Sequence, residues 1–205
     1  MVTKVENFKR QKEFDHFNRC DNPFIIMTTK IDITNLVEFC REHKYFYATM
    51  GFIITKTVNE NEAFKYRYDE NKNIYYCDQV NANFTDLMTE EEIGFFDVPF
   101  IDNYDEFMTN YHDIRKKFRD DLYFNDGYVL DVVWMSCSPW NTFNSLIPPF
   151  NKDISIPQFI WDKYHEENGR YYIDLMILIN HGFADGLHIA KFIDSLNKNI
   201  ENFNK

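Results

Sequence analysis

Glycine and proline are scarce, six of each in 205 residues, and the scarcity excludes a good deal of chemistry. Neither GxGxxG nor GxxxxGK[ST] occurs, so the chain offers no dinucleotide fingerprint and no P-loop to cradle phosphates with backbone N–H groups. The four cysteines, Cys20, Cys40, Cys77 and Cys137, lie far apart without a CxxC spacing, which removes zinc-ribbon and thioredoxin-type readings and leaves ordinary free thiols. Positive charge is short as well. With 22 Lys and Arg against 33 Asp and Glu, the net charge of −11 has the wrong sign for sequence-independent attraction to nucleic acid or an anionic membrane. Long apolar runs are missing both in the opening MVTKVENFKRQKEFDHF and elsewhere, so no signal peptide or membrane span is expected and the chain reads as cytoplasmic.

Aromatic residues are what the sequence has in excess. Twenty-one Phe, 13 Tyr and 3 Trp make up 18% of the chain, enough bulky apolar surface to exclude disorder and to build a core in one domain spanning 1–205. Rings beyond the needs of that core are expected at contacts between subunits.

The pattern alternates strands and helices. PFIIMTTKIDI reads as a strand, with Thr34 as N-cap of a helix over LVEFCREHK. Residues 47–59 are apolar nearly all round, which predicts a helix buried on most sides. Two aromatic runs flank Asp69-Glu70-Asn71-Lys72-Asn73 as a hairpin, and strands continue through 83–98. Tyr104, Phe107, Met108, Tyr111, Ile114 and Phe118 recur at helical spacing. VLDVVWMSCS predicts a strand that Pro139 ends, FIWDKYH and RYYIDLMILIN form a second hairpin about Glu166-Glu167-Asn168-Gly169, and the chain closes on a helix. Such a mixture predicts an α/β layered domain.

The densest chemical signal is Asn180-His181-Gly182-Phe183-Ala184-Asp185-Gly186-Leu187-His188, where a histidine leaves an apolar strand and an aspartate precedes a helix. Three readings stand. His181, Asp185 and His188 supply three metal ligands if one helix carries all of them; Asp185 caps the helix and His181 is a satisfied core residue; or His181 is a general base working near neutral pH.

The run from His181 to Gly186 resembles the HHxxxDG signature of the chloramphenicol acetyltransferase family, with Asn180 in place of the first histidine. The likeness extends in order along the chain. Phe8-Lys9-Arg10 to Phe14 resembles the family's opening, Ile31-Asp32-Ile33-Thr34 its Asp-Ile-Thr segment, and Phe46-Tyr47, Ile54 to Val58, Tyr68-Asp69-Glu70-Asn71 and Ser136-Cys137-Ser138-Pro139-Trp140 follow at near-family spacing.

The resemblance implies a two-layer α/β sandwich of a mixed β-sheet packed with helices, the CoA-dependent acyltransferase fold, assembled as a homotrimer with active sites between subunits. It implies His181 as general base on an acceptor hydroxyl that attacks acetyl-CoA, the cosubstrate, without an acyl-enzyme and without a metal. Asp185 and Arg10 are implied as the pair that holds the histidine loop, and Ser136 as the oxyanion donor. Tyr47, Lys163 and Tyr164 fall at family positions for CoA, and His16, Phe17, Phe24 and Ile160 at acceptor positions. Ile160 stands where the family has a threonine that helps solvate the oxyanion, and Glu90 to Phe95 replaces a Thr-rich run. The expected activity is O-acetylation of chloramphenicol. The alternatives are the same mechanism on another small hydroxyl acceptor, or a catalytically weak trimeric binding protein.

Overall fold

A computed structural model describes residues 1–43, 45–122 and 129–203. Ten strands and five helices follow in the order β1 (Val2–Lys4), α1 (Gln11–Phe17), β2 (Phe24–Asp32), α2 (Thr34–His43), α3 (Phe46–Glu60), β3 (Tyr66–Tyr68), β4 (Ile74–Cys77), β5 (Asn81–Leu87), β6 (Ile93–Val98), α4 (Tyr104–Asp121), β7 (Val132–Ser138), β8 (Gln158–Asp162), β9 (His165–Glu167), β10 (Arg170–Asn180) and α5 (Gly186–Glu201). Lys44, which the sequence pattern includes in the second helix, lies outside the described residues. Thr34 is the first residue of that helix rather than its cap. Asp32 accepts from the Thr34 N–H at 3.0 Å, and the Thr34 hydroxyl accepts from the Tyr171 N–H.

The main sheet runs β2-β10-β8-β7-β5-β6, parallel where β7 meets β5 and β8 and antiparallel at its other pairings, with β9 attached to β10. A separate three-stranded sheet, β1-β4-β3, contains the predicted first hairpin. At the second hairpin both Asn168 and Gly169 have positive φ, 54° and 79°, the requirement that selects Asn-Gly at such turns.

Strand β10 has no polar alternation because both its faces are covered. Ile173, Leu175, Ile177 and Ile179 enter the large core with α3 and α5, whereas Met176 and Leu178 join Phe24, Ile26, Phe143, Leu146 and Ile160 on the opposite face. The aromatic residues go first into the large core, where Phe64, Phe84, Phe107, Phe159 and Phe192 are fully buried. At about 1.5–3 kcal/mol for each large apolar side chain removed from water, these rings dominate the favourable side of folding.

Candidate active site

His181 follows the last residue of β10, and its N–H continues the pairing with the β2 side by donating to the Pro23 carbonyl at 2.8 Å. Its ring stacks on Phe17, at the end of α1, with centroids 3.8 Å apart and planes within 8°. Nδ1 lies 3.0 Å from the Ala184 carbonyl oxygen, which can only accept. The proton therefore sits on Nδ1, and Nε2 keeps a lone pair free of any intramolecular partner among the described residues.

Three groups hold that geometry. The buried Asn180 accepts from the Gly182 N–H at 2.9 Å and donates to Asn18 Oδ1 at 3.1 Å, so the residue in place of a histidine turns the loop and pins it to the N-terminal segment. Gly182 has no room for a side chain, since a Cβ there would lie 2.6 Å from Phe14 Cα. Arg10 donates from Nε to the Gly182 carbonyl at 3.3 Å and from Nη1 to Asp185 at 3.1 Å. That ion pair is 22% and 37% exposed, where such pairs contribute at most about 1 kcal/mol, so its effect is to fix position rather than to stabilise the fold.

Asp185 also caps α5, accepting from the Leu187 and His188 N–H groups at 3.0 and 3.4 Å, while His188 Nδ1 approaches the same carboxylate at 2.8 Å. Partial burial pushes its pKa up, but the hydrogen bonds and charge of His188 and the bond from Arg10 outweigh burial and hold it at about 2. Capping and pairing with Arg10 are thus joint roles of one side chain. The metal reading needed His181, Asp185 and His188 on one helix, whereas α5 starts at Gly186 and leaves the first two before it.

The remaining candidates form a second group. Ser136 is level with Ile160 on β8, and Ile160 with Met176 on β10, five residues before His181. At about 3.3 Å per residue and 4.8 Å per strand, Ser136 and His181 stand roughly 20 Å apart. One chain therefore does not bring them together. With His181 lie Arg10, Asp185, Phe17, the exposed His16, whose ring meets Phe17 edge-on, and Phe24, paired with Asn180. Near Ser136 and Ile160, Trp161 packs with Tyr47, while the exposed Lys163 and Tyr164 follow β8. Tyr47 spends its hydroxyl on the Thr85 and Met135 carbonyls at 2.8 and 3.3 Å, and burial raises its pKa well above normal.

A family model described as chloramphenicol acetyltransferase matches residues 2–197. The chain belongs to the chloramphenicol acetyltransferase family. It is 29% identical over 197 residues to the chloramphenicol acetyltransferase of Campylobacter coli, covering 94% of each chain, and 28% identical to chloramphenicol acetyltransferase 3 of Escherichia coli, covering 94% and 92%. A solved chloramphenicol acetyltransferase superposes with a TM-score of 0.84 at 20% identity over 98% of this chain and all of the other. A truncated catalytic core of the 2-oxoacid dehydrogenase multienzyme complex from Thermoplasma acidophilum shares the fold, with a TM-score of 0.73 at 17% identity and 98% and 99% coverage. Chloramphenicol acetyltransferases are enzymes, and the mixed α/β architecture is shared with both of these solved structures.

Against that family background, two residues escaped sequence reasoning. Asn180 stands in the sequence only as a departure from the family histidine, and His188 only as a third ligand in the metal reading; each holds the loop that carries His181. The Asx-type spacing of Asn180 to Gly182 was the available signal for the first.

Proposed function

We propose that this protein transfers the acetyl group of acetyl-CoA to a hydroxyl of chloramphenicol, with His181 as general base. The carrying observation is the 3.0 Å contact of His181 Nδ1 with the Ala184 carbonyl, which assigns Nδ1 as the donor and leaves Nε2 to accept a proton. His181 Nε2 takes the hydroxyl proton as the oxygen bonds to the thioester carbonyl carbon. Ser136, whose hydroxyl has no hydrogen bond among the described residues, donates to the resulting oxyanion. When the C–S bond breaks, the Nε2 proton passes to the departing sulfur, leaving the ester, free CoA thiol and neutral His181.

Direct transfer is supported by the thiol nearest to Ser136. Burial, reinforced by the Asp162 charge, pushes the pKa of Cys137 up to about 12, so it stays a thiol and is a poor candidate for an acyl-enzyme. Lys163 has no side-chain partner among the described residues and is free to meet a CoA phosphate, while Tyr164 offers an exposed ring beside it. Tyr47 contributes its ring and position, since its hydroxyl is already engaged.

The separation of His181 from Ser136 supports a homotrimer in which the first group of one chain faces the second group of the next. Exposed apolar side chains at Trp140 and Ile147, 68% and 71% accessible, give the segment after β7 a surface suited to such a contact. The Asn180 and Ile160 departures favour a catalytically weak trimeric binding protein only in part: Ile160 puts an apolar group level with Ser136, but the clamp around His181 is intact. Thiol release from acetyl-CoA, measured with chloramphenicol and with a panel of other small alcohols, tests the proposal. No release with any acceptor would leave a binding protein, and release with a different alcohol would change the substrate and keep the mechanism.

A further inference from the structure

On the far side of the Arg10 clamp lies a cavity of about 420 Å³, bounded by the segment before α1, the turn Glu62–Lys65, β3 and the start of α5. The volume falls within the range of small-molecule sites, about 300–1,000 Å³. Three rings wall it. Phe8 meets Tyr66 at 4.8 Å and 61° and Phe183 at 5.7 Å and 88°, and Tyr66 and Phe183 are 5.9 Å apart. Lys9, Arg10 and Lys191 also line it, together with His188.

The charges distinguish this cavity from the larger one, about 530 Å³, beside β2 and α5. There, each lining cation is already neutralised: Lys30 pairs with Glu167 at 2.8 Å and Arg170 with Asp32 at 2.6 Å. At the aromatic cavity, neither Lys9 nor Lys191 has a carboxylate within ion-pair distance among the described residues, and Arg10 leaves Nη2 unbonded. The one lining carboxylate, Glu62, accepts the Tyr66 hydroxyl at 2.7 Å. A chain of net charge −11 thus gathers unpaired cations against a wall of aromatic edges.

We propose that this cavity binds a small aromatic carboxylate, its ring against Tyr66 and the rim of Phe8, backed by the buried Phe183, and its carboxylate among Lys9, Lys191 and the free edge of Arg10. Ring edges carry partial positive charge and favour the face of another ring, while the guanidinium edge and the two ammonium groups suit a carboxylate. The site is separate from the His181 Nε2 face and stands whether or not the chain acetylates chloramphenicol.

Benzoate is the probe, followed by saturation-transfer NMR with the full chain. Binding is expected in the millimolar range, weakening with added salt, and about tenfold weaker in the Lys9→Gln/Lys191→Gln double variant, the two ammonium groups together contributing that one factor of ten. Benzyl alcohol, with the ring and without the charge, should bind more weakly than benzoate, as should cyclohexanecarboxylate, with the charge and without the ring. Circular dichroism on the double variant checks that these exposed substitutions leave the fold in place, and Phe8→Leu, which keeps both lysines, gives an independent loss of benzoate binding. No saturation transfer, equal affinity in the double variant, or displacement of benzoate by chloramphenicol would each overturn the assignment.

Discussion

The His181 region and the Ser136 region are built on opposite plans. Around His181, backbone and side-chain groups are spoken for: Asn180 turns the loop, Arg10 grips Gly182 and Asp185, and Ala184 orients the ring. Around Ser136 the polar groups are left open. The serine hydroxyl has no partner among the described residues, and the buried Trp161 Nε1 has no acceptor there either, a cost of about 1–3 kcal/mol for such a group. Tyr47, whose hydroxyl is engaged, and Asp162 are exceptions, the buried Asp162 carboxylate receiving the Asp174 and Phe143 N–H groups at 2.8 and 3.2 Å. The contrast shows where precision has to be built in. A base must present one nitrogen in one tautomer, whereas a serine hydroxyl without an intramolecular partner is free to turn its hydrogen toward an oxyanion.

The largest expected effect breaks the first region. His181→Ala should lower turnover by about 10²–10⁴-fold while thermal unfolding is little changed, because the base acts in the transition state. Ser136→Ala should follow with a loss of about 10²–10³-fold in kcat and a nearly constant KM for acetyl-CoA. Mixing the two inactive variants, dissociating them and reassembling them sharpens the comparison further. Activity should return in part if the regions meet across a subunit contact, and should stay absent if each chain carries its own site.

A smaller effect concerns acid stability. Asp185 has a folded-state pKa of about 2, below the usual carboxylate range, so the unfolded chain takes up the proton first as pH falls. Its stabilising contribution is therefore complete above the ordinary carboxylate pKa and is lost as pH falls toward about 2. Asp185→Asn should flatten the acid limb of an unfolding-midpoint profile over that window. The smallest change is a gain: Ile160→Thr puts a hydroxyl level with Ser136 and should raise kcat about threefold, a modest share of what an oxyanion donor supplies.

Much of this architecture is legible in the sequence because it is written locally. The apolar run of β10, the Asn168-Gly169 turn, the buried α3 and the ring spacing of α4 each announce themselves within a dozen residues. The pairing of β1 with β4 is not legible in this way, since Val2 meets Cys77 and nothing near either residue specifies the partner. The same holds for the gap between Ser136 and His181. Both residues belong to one set of roles in the sequence, and only the strand register shows that they occupy different ends of the sheet.

The missing side chain at Gly182 has a consequence for timing. Residues near position 180 close against Phe14 and Arg10, so the loop bearing His181 is completed by a segment 172 residues earlier in the chain. Helix α1 has to wait, without its partner, until β10 and the loop that carries His181 have been translated. Competence in the His181 region should therefore arrive all at once and late, and a ribosome stalled before the last strand should carry a chain with no vestige of it.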